Sequence, residues 1–253
     1  MHPLESGLRQ GLAELGLALD DAQIQRLLDY LDLIQKWTRV YNLTAVRNPA
    51  EMLTHHLLDS LSSILPLQQQ LQARSLGGRA FCAGQGGARA AGGGHGAERS
   101  AAQTPSGLAA SRMVRFLDVG SGAGLPGIVI AICCPDITVH CVDTVGKKAA
   151  FIQQVAASLK LPNLRGVHAR VESLTEPYDV VSSRAFASLV DFTKWSAGAL
   201  AEQGVWMAMK GKHPSDEIAA LPSSVEVFHV EQLVVPGLDA ERCIVWMRKR
   251  VVG

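Results

Sequence analysis

Hydrophobic periodicity divides the chain into three stretches. Between residues 4 and 66, apolar positions recur at three- and four-residue intervals. In "IQRLLDYLDLIQKW", Ile24, Leu27, Leu28, Leu31 and Ile34 make one stripe, the pattern of an amphipathic helix. Asn48-Pro49 ends one such helix and opens another, because proline suits the first helical position, where its missing N–H costs no bond. "EMLTHHLLDSLSSIL" carries the pattern on through Met52, Leu57, Leu61 and Leu65. From 68 to 112 the periodicity is lost. "SLGGRAFCAGQGGARAAGGGHGAERSAAQTPSG" has too little apolar surface to offset its ordering entropy, and reads as a disordered or loosely packed insertion. Between 68 and 115 it carries six arginines against one glutamate, the composition of a solvated linker or of an arm that touches RNA.

From 114 onward, short apolar runs alternate with helical segments. "VRFLDV" precedes "PGIVIAICC", "ITVHCVD" precedes "GKKAAFIQQVAASLK", "LRGVHARV" follows, and "YDVVSS" precedes "SLVDFTKWSAGAL" and "GVWMAMK". This alternation predicts a mainly parallel sheet with helices on both faces. "SVEVFHVEQLVV", "PGLD" and "AERCIVWMRK" close the chain as two strands joined by a turn, with an antiparallel strand expected at the sheet edge. The expected organisation is an N-terminal helical extension (1–67), an insertion (68–112) and an α/β, Rossmann-like domain (113–253).

Composition narrows the classes. Apolar residues make up 47% and charged residues 19% of the 253 residues, as in a globular protein. A net charge of +1 gives no global preference for nucleic acid, so any such binding needs a local patch. The first residues, "MHPLESGLRQGLAELGL", lack the basic and apolar regions of a signal peptide, and no apolar run reaches the roughly 20 residues of a membrane span. Five cysteines (Cys82, Cys133, Cys134, Cys141 and Cys243), odd in number and without C-x-x-C spacing, read as small hydrophobes rather than a disulfide framework or metal site. The expectation is a cytoplasmic monomer that holds no metal.

The chemistry concentrates in "RFLDVGSGAGLPGIVIA", residues 115–131. From Gly122 it matches G-x-G-x-x-G, the dinucleotide fingerprint; from Asp118 it reads D-V-G-S-G-A-G. Either way the glycines permit a tight strand-to-helix turn and close approach of the backbone to a ligand. Asp143, ending the second strand 21 residues beyond Gly122, suits ribose hydroxyls of NAD or S-adenosylmethionine alike. Three features favour S-adenosylmethionine. Asp118 can hold the methionine ammonium, where it would repel a pyrophosphate. Pro126 removes a backbone N–H that a pyrophosphate would use. Finally, no residues remain after the sheet for the substrate domain of a dehydrogenase.

The turn after the fourth strand, Ser183-Arg184-Ala185-Phe186, faces the transferred methyl in such folds. It is neither the N-P-P-Y turn that steers an exocyclic amine nor a Pro-Cys pair for attack at C6 of a base. An acceptor needing no deprotonation fits, and guanine N7, with its in-plane lone pair, is one. Arg184 suits guanine O6, the cofactor carboxylate or a structural ion pair, and Phe186 a stacked base or core packing. Lys210 and Lys212 suit phosphates or plain solvation; Lys147 and Lys148 read as surface residues. Lys36, Arg39 and Arg47, interleaved with Trp37 and Tyr41, are compatible with RNA contact or with a helix that caps the sheet. His55, His56 and Asp59 lack metal-ligand spacing and read as polar rim or its support.

Taken in order, "KWTRVYNLTAVRNPAEMLTHHLLDS", "RFLDVGSGAGLPGI", "VDTVGKKAAFIQQV", "ARVES", "SSRAFASL", "MKGK" and "PGLDAERCIV" resemble the bacterial 16S ribosomal RNA guanine-N7 methyltransferase G family, once called glucose-inhibited division protein B. The resemblance covers nearly the whole chain except 68–112, where the family usually has a few residues. It implies a class I S-adenosylmethionine-dependent methyltransferase sheet with an N-terminal helical extension. The implied activity is N7 methylation of one guanine in the 530 loop of 16S rRNA, free or within the small ribosomal subunit. By motif match, Gly120, Leu125, Val171, Glu172 and Arg184 would contact the cofactor, beside Asp118, Gly122 and Asp143, and Arg184 would carry the catalytic role. A methyltransferase for another RNA or a small molecule, and a non-catalytic RNA-binding protein of ribosome assembly, are the rival readings, with a nicotinamide dehydrogenase more distant.

Overall fold

A computed structural model describes residues 2–80 and 113–250. Cys82 and the part of the expected insertion from 81 to 112 lie outside the described residues, as does the choice between linker and RNA arm made there. The described residues 2–67 and 113–250 form one compact unit.

The N-terminal part is helical, as its stripe predicts. Helix α1 spans Glu5–Glu14 and α2 spans Asp21–Tyr41. Ile24, Leu27, Leu28, Leu31 and Ile34 of α2 are all buried. A capping box starts α2: the Gln23 backbone N–H donates to Asp20 Oδ1 (2.7 Å), and the Asp20 N–H donates to Gln23 Oε1 (3.1 Å). The end of α2 falls at Tyr41, where Asn42 turns the chain with φ 50°, seven residues before the expected Asn48-Pro49 boundary. Asn48 instead caps only the following helix, its Oδ1 accepting from the Ala50 N–H at 2.9 Å. That helix runs from α3 (Pro49–Met52) through a π-helical segment, Leu53–Leu58, into α4 (Asp59–Leu61). Met52, Leu57 and Leu61 are buried, whereas Leu65 is 36% exposed. Helix α5 spans Ile64–Ala80 and so continues past residue 67. "QQQLQAR" lacks an apolar stripe but is rich in strong helix formers, which periodicity does not register.

Among the described residues seven strands form one sheet: β1 (Val114–Val119), β2 (Ile137–Asp143), β3 (Leu164–His168), β4 (Tyr178–Arg184), β5 (Leu200–Lys210), β6 (Val225–Leu233) and β7 (Arg242–Lys249), in the order β3-β2-β1-β4-β5-β7-β6. The first five are parallel, and β7 is antiparallel to both of its neighbours. The reversed strand is thus one place in from the edge that β6 occupies. This is a Rossmann-like sheet, in which the chain leaves β1 toward β2 on one side and later returns to β4 on the other. The carboxyl ends of β1 and β4 therefore diverge into a crevice.

Alternation along the strands feeds two cores. Leu117, Val119, Val181, Trp206 and Met247 join Phe192 of α8 (Leu189–Ser196) on one face. Phe116 and Cys141 lie on the other, under α6 (Gly127–Cys133) and α7 (Gly146–Ser158). Cys133, Cys134, Cys141 and Cys243 are buried and form no disulfide with one another, and burial pushes the Cys133 and Cys141 thiols upward, so both stay protonated. The N-terminal helices are tied into this body by buried polar contacts. The Gln23 amide donates to Ile132 and Cys133 carbonyls at the end of α6 (3.0 and 3.3 Å). Tyr30, fully buried, donates its hydroxyl to the Ala123 carbonyl at 2.7 Å, which fastens α2 to the glycine turn. A short helix α9, Ser215–Ala219, follows β5.

Candidate functional site

The crevice is a cleft of about 420 Å³, within the range of small-molecule sites. Its floor is Val119 at the end of β1 with Gly120 just after it, one wall is Val142 to Val145 with Lys148, and the other is Ala169 to Glu172; Ala185, Phe186 and Trp195 close the end toward β4.

The glycine turn needs its glycines for separate reasons. Gly120, Gly122 and Gly124 have φ of 64°, 59° and 90°, in the left-handed region that favours glycine. A Cβ on Gly120 would strike the Phe186 ring. A Cβ on Gly127 would strike Cys141 Sγ and Asp118, so this residue lets α6 lie against the sheet. Asp143 ties the turn to the next one: its Oδ2 accepts from the Gly122 N–H (3.1 Å), and its Oδ1 accepts from the Val145 N–H (2.9 Å). Lys148 stands 3.6 Å from the same carboxylate. The 21-residue spacing read from the sequence is therefore a direct contact.

Asp118 lies beneath the turn and does not line the cleft. It is wholly buried, its Oδ2 accepts from the Gly127 N–H at 3.0 Å, and its Oδ1 has no partner among the described residues. Burial pushes its carboxyl up to about 7. Gly122 and Leu125 shape the turn from within, the Leu125 N–H donating to the Ser121 carbonyl. Gly120, Asp143, Val171 and Glu172 reach the cleft. Val171-Glu172 opens a single 3-10 turn, and Glu172 sits 3.4 Å from Arg170 at the mouth.

Arg184 ends β4 and turns away from the cleft wall. Its Nη1 donates to Asp59 Oδ2 (2.7 Å) and to the His55 carbonyl (3.0 Å). Arg242 donates from Nε to the other oxygen of Asp59, also at 2.7 Å. One buried carboxylate at the start of α4 thus joins the end of β4 to the start of β7. Next to it, burial and the Arg184 charge lower His56 to about 4; its Nε2 lies 2.9 Å from the Thr44 hydroxyl. A neutral imidazole avoids a third positive charge beside the two arginines.

Ala185 follows with φ 51°, unusual for a residue with a Cβ, and the half-buried Phe186 lies back over Gly120. Its ring meets Trp195 and Phe192 edge-on, with centroids 5.9 and 6.3 Å apart. Lys210 is engaged by Glu217 at 2.8 and 3.0 Å, and Glu217 also accepts from the Leu189 N–H, so this pair braces the start of α8. Lys212 is exposed. Sequence reasoning missed Thr144, Ala169, Arg170 and Trp195 in the cleft, together with the bracing roles of Tyr30, Asp59 and Glu217. Only the position of Arg170, beside Val171-Glu172, carried a signal. Among the described residues no group of three or more His, Cys, Asp or Glu is placed to hold a metal ion, and no helix is long and apolar enough to cross a membrane.

A family model described as rRNA small subunit methyltransferase G matches residues 23–76 and 103–245. Three relatives named Ribosomal RNA small subunit methyltransferase G are similar over nearly their whole lengths. The Albidiferax ferrireducens protein is 63% identical over 252 residues, covering 100% of both chains. The Acidovorax ebreus protein is 60% identical over 245 residues (97% of this chain, 95% of the relative). The Methylibium petroleiphilum protein is 51% identical over 248 residues (98% and 95%). The family model leaves 77–102 unmatched, yet the Albidiferax relative spans the chain from end to end, so a segment of this length is shared with relatives rather than peculiar to this chain.

Proposed function

The chain belongs to the rRNA small subunit methyltransferase G family, and from that membership and the chemistry of the cleft we propose that it methylates N7 of one guanine in the 530 loop of 16S rRNA. The observation that carries the choice of acceptor is the end of the cleft toward β4. Ala185, Phe186 and Trp195 form it, and no histidine, cysteine or tyrosine lines the cleft among the described residues. A carbon acceptor needs a nucleophile there and an exocyclic amine a polar turn to steer it; a ring-nitrogen lone pair needs only a flat surface and correct alignment.

The residues present fit S-adenosylmethionine. Gly120 offers a backbone that no Cβ shields, Asp143 a carboxylate already oriented by two N–H groups, and Val171-Glu172 a backbone N–H and a carboxylate suited to an adenine edge. Asp118, wholly buried beneath the turn and outside the cleft lining, supports the turn by accepting the Gly127 N–H and does not present its carboxyl to the ammonium of the methionine part. When bound, the cofactor supplies a methyl group made electrophilic by a sulfonium. Asp143 then orients, Phe186 and Trp195 stack and exclude water, and Arg184, turned from the cleft onto Asp59 and the His55 carbonyl, holds the end of β4 from which Ala185 and Phe186 reach the cleft. Domain roles follow: residues 1–67 support the cleft from below, and 113–253 build it.

The test is transfer of tritium from labelled S-adenosylmethionine to 16S rRNA, free and in small subunits, followed by strand scission at N7-methylguanine. Label with scission at one guanine is expected. Label without scission moves the acceptor off N7, and no label in RNA removes the RNA reading.

A further inference from the structure

Lys36, Trp37, Arg39, Tyr41 and Arg47 make a basic and aromatic pattern in sequence, and the fold sorts them. Trp37 is a mount: its ring lies 5.1 Å from Tyr41 and 5.3 Å from the buried Phe151 of α7. Lys36 faces a shallow groove shared with Asp29 and Asp32, which supply compensating charge. Tyr41, Arg39 and Arg47 gather at the C-terminal end of α2. Tyr41 is 43% exposed, and both arginines are exposed. Arg47 donates from Nη2 to Asn42 Oδ1 at 2.8 Å, which holds it beside Tyr41.

Two further observations point to a ligand. Lys147 brings Nζ over the Tyr41 ring, 5.4 Å from its centroid, and it lies between Val145 and Lys148, both of which line the cleft. Arg39 and Arg47 also border a cavity of about 150 Å³ with Thr38, whose buried hydroxyl has no partner among the described residues. Among those residues, Arg39, Arg47 and Lys147 face no carboxylate within ion-pair distance. An accessible aromatic ring under the Lys147 ammonium, with Arg47 held beside it through Asn42 and Arg39 and Arg47 sharing the cavity at the same helix end, is the composition of a single-strand nucleic-acid groove.

We propose that the end of α2 and Lys147 together dock an unpaired segment of RNA beside the target nucleotide. One base stacks on Tyr41, and neighbouring phosphates meet Arg39, Arg47 and Lys147. The exposed cation–π contact is weaker than a base stack, so a base displaces Lys147 from the ring and the freed ammonium remains for the backbone. This inference rests on the RNA reading of the cleft.

The test compares Tyr41→Ala, Tyr41→Phe and the double variant Arg39→Ala/Arg47→Ala in the full chain. Binding of transcribed 16S rRNA is measured from about 50 to 200 mM salt, cofactor binding by calorimetry, and methyl transfer as separate kcat and KM. Tyr41→Ala is expected to weaken RNA binding about tenfold or more and to raise KM with kcat nearly unchanged, while Tyr41→Phe restores both. The double variant should flatten the salt dependence by roughly 0.7 for each phosphate left without its arginine, with cofactor affinity unaltered in every variant. Wild-type affinity and salt slope in Tyr41→Ala and the double variant would overturn the proposal. So would a loss seen only on assembled subunits, which would assign the surface to a ribosomal protein. If the variants lose RNA binding while the wild type transfers no methyl to RNA, the docking surface stands and the catalytic reading falls.

Discussion

Replacing Asp59 with alanine is expected to destabilise the fold by about 3 kcal/mol, a figure that follows from its surroundings. The side chain is 4% exposed, and each oxygen accepts one charge-assisted hydrogen bond at 2.7 Å, from Arg184 and from Arg242. Those partners lie 125 and 183 residues away in sequence, so one carboxylate joins α4, β4 and β7. Its removal leaves two guanidinium groups facing one another without a counter-charge. Removing one partner of a buried ion pair costs about 3–5 kcal/mol. The arginines keep 19% and 24% exposure, so water recovers part of the loss and the expectation falls at the lower end.

For a domain of this size, each kcal/mol lowers Tm by about 2–4 °C, so Tm should fall by roughly 6–12 °C. Equilibrium denaturation by urea, run beside thermal unfolding, measures both quantities. Asp59→Asn should behave nearly as badly, because its amide N–H groups point donors at donors. Adding Arg242→Met to Asp59→Ala should recover part of the stability, since it removes one of the uncompensated charges. Assayed well below Tm, Asp59→Ala should also lose more methyl transfer than its folded fraction explains, because the end of β4, which carries Ala185 and Phe186 into the cleft, is no longer fixed through Arg184. A loss of stability under about 1 kcal/mol would refute the reasoning, since the carboxylate would then not be the counter-ion that the geometry makes it.

Gly120→Ala adds a Cβ that meets the Phe186 ring at a left-handed φ of 64°. It should cost about 1–2 kcal/mol in backbone strain and weaken cofactor binding at least tenfold by calorimetry. Phe186→Ala on that background should relieve the steric part but not the strain, and unaltered binding in Gly120→Ala would exclude close approach of the cofactor to this backbone. Asp118, pushed up to about 7 by burial, holds its proton in the folded chain between about pH 4 and 7, where the unfolded chain has lost it. Its contribution is therefore full below pH 4 and is lost as pH rises through 7. Relative to Asp118→Asn, the wild type should gain about 2–3 kcal/mol in unfolding free energy between pH 8 and pH 5, and a flat difference would show that the carboxyl is not desolvated.

What the sequence made legible was whatever local spacing encodes. The α2 stripe, the order of strands and helices, the two-strand close and the Gly122–Asp143 pairing all rest on short-range patterns, because a helix repeats every 3.6 residues and a parallel sheet collects its ligand groups at successive strand ends. The extension of α5 past residue 67 was hidden because propensity without amphipathicity leaves no stripe. The early end of α2 was hidden because an asparagine in the left-handed region stops a helix as well as a proline boundary does. A structural ion pair was among the roles open to Arg184 from the sequence, but its partner could not be read, since Asp59 lies on another element 125 residues away and no periodicity links them.

The glycine turn shows how far local reading reaches. Two overlapping frames compete in the sequence, one anchored at Asp118 and one running from Gly122 to Gly127, and preference for the Asp118 frame leaves the other without a purpose. In the folded chain both are used. Gly120, from the Asp118 frame, exposes backbone to the cleft, while Gly127, from the other, lets α6 press against Cys141 and Asp118. The same carboxylate that opens the first frame accepts the N–H of the residue that closes the other. Overlap is thus a physical requirement: a turn that brings backbone near a ligand and packs its helix tightly on the sheet needs glycine at both places. The frame from Gly122 to Gly127 marks the fold, Asp118 secures its helix, and the identity of the cofactor must be argued from the residues that line the cleft, Gly120, Asp143, Val171 and Glu172.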